Sequence, residues 1–301
     1  MYLQTALFLA FSFLVLVSPS ALKRHRNLSY DADLARYKLM PLSAAAYSDS
    51  PAECVKNVFA GANATLYNQR TVQCDAFQKD DTCSGFTAVS HSDKAIIIAF
   101  RGNEYLAQLF EEADSSLMIH EKFVGGGKVS RYFLNAFNYV WDGGMKDDFL
   151  ILRNRYPDYE IWVTGHGLGG SMASICAASL IYLKQVNADA VRLITFGQPR
   201  TGNRDYADAH DKLVPSSFRV VHNRDQIVHL PTENFESYHH HCSEVFYENG
   251  MDVDDSYVIC PQQEGNKCSD GLFITMSSAD NWNYFNLNKK LSVFGVDGCK
   301  A

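Results

Sequence analysis

Residues Ile161 to Ser171, IWVTGHGLGGS, run a β-branched apolar stretch into a glycine-rich turn and then into small, helix-compatible residues. That is the frame of a nucleophile elbow, G-x-S-x-G, in which a serine is held on a strained strand-to-helix turn for covalent catalysis. Gly165 and Gly169 occupy the outer positions and Gly170 extends the run. Glycine is needed there because the neighbouring backbones approach too closely for side chains. The central position, where the hydroxyl should stand, is Gly167. Glycine accepts positive φ there without the strain of roughly 1 kcal/mol that a serine bears. A bare G-x-G-x-G is also compatible with a dinucleotide loop, but that loop needs an acidic residue on the next strand. The next strand-like run, VRLITF from Val191 to Phe196, has none.

The elbow needs strands and helices in alternation to hold it. AIIIAF (Ala95 to Phe100) is a continuous apolar run, as expected of a strand covered on both faces. YEIWVT (Tyr159 to Thr164), VRLITF and SFRVVH (Ser217 to His222) are similar. Between the first two lies a long stretch with apolar residues at helical spacing, and Ser171 to Gln185 after the elbow reads as a helix. Strand and helix in this order predict an α/β fold with a mostly parallel central sheet and helices on both faces.

A chain of 301 residues with 47% hydrophobic content can bury a substantial core. Its net charge of −7 gives no basic footprint for nucleic acid or an anionic membrane, so a neutral or apolar partner fits better. The apolar run Ala6 to Val17, closed by Ser18-Pro19-Ser20, is too short to span a bilayer comfortably. It reads as a secretory leader over residues 1–20, with no transmembrane segment after it. The eight cysteines suit an oxidising compartment, with Cys74 and Cys83 bracketing one polar loop and Cys260 and Cys268 another. Cys54 and Cys299 lie near opposite ends of the mature chain, and no cysteine spacing suggests a metal site. Asn27-Leu28-Ser29 and Asn63-Ala64-Thr65 are glycosylation sequons at Asn27 and Asn63.

Six blocks together resemble the fungal-type triacylglycerol lipases, the class 3 lipases, from about Leu39 to Cys299. They are IIAFRGN (Ile97 to Asn103), VTGHGLGGSMAS (Val163 to Ser174), ITFGQPRTGN (Ile194 to Asn203), RVVHNRDQIVHLP (Arg219 to Pro231), YHHHCSEVFYENG (Tyr238 to Gly250) and SADNWNYFN (Ser278 to Asn286). The resemblance implies an α/β-hydrolase-like fold with a lid, residues 21–301 forming a single lipase-like domain. It also implies the pairings Cys54–Cys299, Cys74–Cys83 and Cys260–Cys268, leaving Cys176 and Cys242 free. Glu104 to Met118 would be the lid, with Tyr105, Leu106, Leu109 and Phe110 on one face; a permanently closed amphipathic helix is the alternative.

Carried over residue by residue, the resemblance puts the nucleophile position at Gly167, the acid at Asp225 and the base at Asn281. The oxyanion hole would use the Leu168 amide and Asn103, where the family has a threonine or serine. Only the acid keeps its chemistry: glycine has no side chain, and an amide takes up no proton near neutral pH. Ser171 lies about 6 Å further along a helix, and Ser174 further still. His239, His240 and His241 read as structural, since consecutive strand residues face opposite ways, and His166 as pointing into the scaffold. The reading is therefore a secreted lipase-like pseudoenzyme that needs no cofactor and binds a lipid or acyl ester, or an active lipase. An ester hydrolase working through unorthodox groups, and a structural or antagonist partner without a lipid pocket, are the alternatives.

Overall fold

A computed structural model describes residues 29–61, 63–74, 82–104, 119–233 and 235–300. The leader, the sequon at Asn27 and nearly all of the expected lid, residues 105–118, lie outside these. The described chain opens on consecutive helical pieces, Ala32–Leu34, Ala35–Leu39 and Met40–Ala45, started by an Asp31 carboxylate that accepts from the Leu34 N–H. Then come α1 (Pro51–Val58), β1 (Ala64–Gln73), β2 (Thr82–Ser90), β3 (Ala95–Phe100), β4 (His120–Lys122) and β5 (Lys128–Ser130). Next are α2 (Arg131–Val140), α3 (Lys146–Arg155), β6 (Glu160–His166), α4 (Leu168–Tyr182), β7 (Val191–Phe196) and β8 (Gly202–Asn203). The remainder is α5 (Arg204–Leu213), β9 (Ser217–His222), β10 (Tyr238–His239), β11 (Glu244–Tyr247), β12 (Val258–Cys260), α6 (Ser278–Trp282) and α7 (Leu291–Val296).

Eight strands form the main sheet in the order β1-β2-β3-β6-β7-β9-β11-β12. The five central ones, β3 to β11, pair in parallel, and antiparallel partners close both ends. This is the α/β-hydrolase-like sheet expected from the sequence. Alternation along β3 divides the interior in two. Ile96, Ile98 and Phe100 pack with Phe133, Phe149, Met172 and Ile175 from α2, α3 and α4. Ala95, Ile97 and Ala99 pack on the other face with Leu39, Leu42, Leu291 and Phe294.

The strands read at 95–100, 191–196 and 217–222 form where expected, and the helix after the elbow starts at Leu168 rather than Ser171. Two glycines, weak helix formers, open that helix and hide its beginning. A small second sheet, β10-β8-β5-β4, has strands of two or three residues, too short to leave a periodic signal. Disulfides join Cys54 to Cys299, Cys74 to Cys83 and Cys260 to Cys268, while Cys176 (buried) and Cys242 (half-buried) stay free. Among the described residues no helix is long and apolar enough to cross a membrane.

Candidate active site

Gly167 sits between β6 and α4 at φ 55° and ψ −123°. A residue with a side chain stores about 1–3 kcal/mol of strain in such a region; glycine does not. Its N–H donates to the Phe196 carbonyl (2.9 Å), and its own carbonyl accepts from the Gly170 N–H (2.9 Å), starting the helix. A Cβ on Gly165 would penetrate the Gly169 backbone, and one on Gly169 the Phe100 carbonyl. The flanking glycines thus let α4 lie directly on the ends of β3 and β6.

The turn after β9 buries Asp225 completely. One carboxylate oxygen accepts from the Asn281 side-chain amide (3.1 Å) and the Tyr284 hydroxyl (2.8 Å), the other from the Ile227 N–H (2.8 Å). Burial raises the Asp225 pKa above the ordinary carboxylate value, against the pull of these donors. Asn281 is on α6, whose Ser277 side chain caps the Asp280 N–H (3.1 Å) and whose lead-in pairs alongside Asp225. Gly197, at φ 56°, leaves the room: a Cβ there would stand 2.8 Å from the Asp225 carboxylate and 3.0 Å from the Asn281 amide.

His166 ties the elbow to α6. Its Nε2 lies 2.7 Å from the Asn281 carbonyl, which can only accept, so Nε2 carries the proton. Nδ1 then accepts from the Tyr47 hydroxyl at 2.9 Å. Burial lowers the ring to about 4, so it is neutral at pH 7, with its one acceptor nitrogen already occupied. His166 is scaffold, as the sequence suggested, and offers no base.

Leu168 and Asn103 line one cleft of about 210 Å³ together with Tyr47, Thr82, Arg101 and Tyr132. The described walls are mainly polar, unlike the apolar acyl groove expected of a lipid site; Leu168 and the Cys74–Cys83 disulfide are the apolar part. Asn103 donates to the Tyr132 hydroxyl at 3.3 Å. Glu104, the first residue of the segment expected to be a lid, pairs with Lys290 (3.3 Å), whose ammonium lies 4.2 Å above the Trp282 ring beside Asn281.

Among the described residues the other serines and histidines do not assemble a substitute. Ser171 is buried, accepting from the Thr201 hydroxyl (3.0 Å). Ser174 does meet a histidine, His241 Nε2 at 3.0 Å, but both are sealed in the core, and the far ring nitrogen donates to the Cys242 carbonyl (2.9 Å) rather than to a carboxylate. His239 and His240 are buried too, and His240 bonds the Val228 carbonyl (2.7 Å). His210, Asp211 and His241 bring ligand atoms within 4.8 Å of one another. The two rings, however, are stacked at 3.7 Å and 20°, so their in-plane lone pairs do not converge on one ion.

Sequence reasoning assigned no role to Tyr47, Tyr284 or Gly197. Tyr284 stands three residues after Asn281, beyond the end of α6, and reaches Asp225 from the bend that follows the helix; Tyr47 carried no local signal, because its partner is more than a hundred residues away.

Residues 97–235 match the family model described as Lipase (class 3). A Caenorhabditis elegans protein named Lipase ZK262.3 is 32% identical over 291 residues, covering 87% of this chain and 80% of that protein. The Rhizomucor miehei lipase is 28% identical over 212 residues; 69% of this chain is covered, and 56% of that protein, so the chain spans little more than half its length. Among solved structures, a triacylglycerol lipase whose catalytic centre is formed by a serine protease triad superposes with a TM-score of 0.74 at 23% identity, covering 88% of this chain and 98% of that one. Lipase II from Rhizopus niveus superposes with a TM-score of 0.75 at 22% identity and the same coverage of both chains.

Proposed function

Because the chain belongs to the class 3 lipase family, we propose that it is a secreted lipase-fold protein that binds a lipid or acyl ester without hydrolysing it through a serine triad. Gly167, Asp225 and Asn281 stand at the nucleophile, acid and base positions, with Asn103 and Leu168 at the oxyanion hole. The observation that carries this reading is the Asn281 amide on the Asp225 carboxylate, 3.1 Å away. A catalytic histidine donates one ring N–H to its acid and presents the other nitrogen as base. The amide keeps the first contact and lacks the second. Tyr284 is also a donor, so every side chain meeting Asp225 gives a proton into a hydrogen bond and none receives one.

Binding needs shape and apolar surface but no triad. Phe273, Ile274 and Met276 are exposed, Phe273 fully so, just before the Ser277 that pairs alongside Asp225. They set apolar surface on the segment that leads to Asp225, which suits a ligand with an acyl chain. Three disulfides support export, with Asn63 on the surface available for a glycan.

The test uses purified full-length protein, a fluorophosphonate probe, p-nitrophenyl butyrate and a fluorescent fatty acid. No labelling, no turnover and micromolar binding of the fatty acid are expected. Stoichiometric labelling or clear turnover would return the protein to the hydrolases. Failure of the acyl probe to bind would leave association with an active lipase as the surviving function.

A further inference from the structure

The histidines of YHHHCSE lead from β10 of the small sheet into β11 of the main one, and His241 reaches the helix after the elbow at Ser174 (3.0 Å). His210 on α5 is fully buried, and neither ring nitrogen makes a well-formed hydrogen bond, the Ser174 backbone being the group near enough to favour a proton on it. It is stacked on His241, whose protonation state the surrounding bonds dictate. The Cys242 carbonyl accepts from Nδ1 (2.9 Å), so Nε2 is the bare nitrogen and accepts from the Gln198 amide (3.0 Å). A proton on Nε2 would face that amide donor to donor and would force the Ser174 hydroxyl (3.0 Å) into the acceptor role. One nitrogen of the buried Arg219 guanidinium is also unpartnered.

We propose that this stack is an acid-sensitive latch: proton uptake by His210 and His241 releases the sheet edge, residues 238–247 and 258–270, while the central strands stay folded. Tyr238, Val245, Phe246 and Tyr247 pack the edge on the core, and polar bonds around the stack hold it as well. Arg219 Nε donates to the His241 carbonyl (2.8 Å), the Asp211 carboxylate accepts from the Cys242 N–H (2.8 Å) and from Gln263 (2.8 Å), and Arg200 clamps Glu264 (2.9 Å). β11 has only four register pairs with β9, and β12 is the last strand of its sheet. The Cys260–Cys268 disulfide lies inside the released segment and does not anchor it.

The other charged or titratable groups packed here do not neutralise the effect. Tyr206 lies beside His210 (5.7 Å between rings) with its hydroxyl on Ser174, and burial keeps it protonated. The Cys242 thiol is pushed up to about 12, burial first and Asp211 second, so it is neutral. Glu244 faces Arg219 (3.6 Å), Glu264 and Asp270 face Arg200, with His229 against Asp270 and His239 against Glu264, and Asp208 takes the Gln263 amide. His240 lies among Arg219, Glu264 and Arg200, and burial depresses its pKa as it does that of His210 and His241. Asp211 is the acid near enough to answer a charged ring. Turning to do so would surrender its bonds to Cys242 and Gln263, which opens the same edge.

The experiment is hydrogen exchange of the full chain at pH 7 and pH 5, expressed as protection factors corrected for intrinsic rates. A buried neutral histidine that gains an ordinary pKa on opening favours opening by about 25-fold over that interval, and two by about 600-fold; His240, released with the same segment, adds in the same direction. Amides of 238–247 and 258–270 should lose protection by at least the single-histidine factor while β3 and β6 keep theirs. His210→Phe preserves the stack without a titrating nitrogen and should reduce the loss by one histidine's share, about 25-fold. Should that variant not fold, the unmodified protein decides alone. Equal edge protection at both pH values, or loss spread evenly over β3 and β6, overturns the latch.

Discussion

Two buried polar regions hang on the same strand, β9, and they are built in opposite ways. Around Asp225, just past its end, Asn281, Tyr284, His166 and Tyr47 form a closed set in which each named side chain has a partner. Around Arg219, in its middle, the set is left open. Among the described residues eight buried side-chain atoms lack a partner, and four of them are here: both nitrogens of His210 and one each on Arg219 and His240. An unpaired buried polar group costs about 1–3 kcal/mol, so the strain is concentrated at the edge and not at the site. A buried carboxylate can be at rest when an amide and a hydroxyl both donate to it. The edge carries the tension in this molecule.

The sharpest way to break the contrast is to restore what the quiet region lacks. Gly167→Ser with Asn281→His should raise ester hydrolysis by on the order of 10³-fold or more over either single variant, since the parts of a triad act as a unit. Each single variant should stay near background in a nitrophenyl ester assay. A folded double variant that neither turns over nor labels would mean that the elbow and Asp225 no longer share a hydrolase geometry.

Acid should separate the regions next. His210, held at about 3 by burial, and His166, at about 4, both titrate in the folded state below the value near 6.5 expected of an unfolded chain. Their neutral-state stability is present above pH 6.5 and is lost as pH falls below it, by about 1.4 kcal/mol per unit for each ring until its folded pKa is reached. Asp225 has the opposite sign. Its raised folded pKa costs stability above the ordinary carboxylate range, and that cost fades as pH falls through the raised value. The histidines govern between pH 6.5 and 5, so urea melts there should show stability falling with acid; a flat profile would contradict the buried neutral assignment.

Smaller effects should differ in sign. Tyr284→Phe removes a donor from a buried carboxylate and should cost about 1.5–3 kcal/mol at pH 7. His210→Phe removes two unpartnered nitrogens from an apolar stack and should be within about 1 kcal/mol of neutral or stabilising. Denaturant midpoints measured side by side check both, and equal losses would erase the difference between the regions.

Much of the fold was legible before any coordinates. Short β-branched runs such as AIIIAF favour strands covered on both faces, and Gly165 and Gly169 announce a close approach by lacking side chains. The three disulfides also followed, in part from the family resemblance. The polar, irregular strand β1 and the two-residue strands were not legible, because their pairing rests on backbone bonds to distant segments and not on an apolar period. At the site, the resemblance set Asp225 and Asn281 in one group, and the hydrogen bond between them makes them neighbours. The Tyr284 contact and the polar walls of the cleft came from packing alone.

What the sequence determined by itself is chemical identity: position 167 has no hydroxyl and position 281 no imidazole, and no folding can supply atoms the side chains lack. What the tertiary structure decided is what those residues touch. It set Asn281 on Asp225, closed His166 between Tyr47 and the Asn281 carbonyl, and laid His210 against His241 without a partner. Such distances join residues tens to hundreds of positions apart, and they are fixed by how helices pack on a sheet, which a local pattern of residues does not contain.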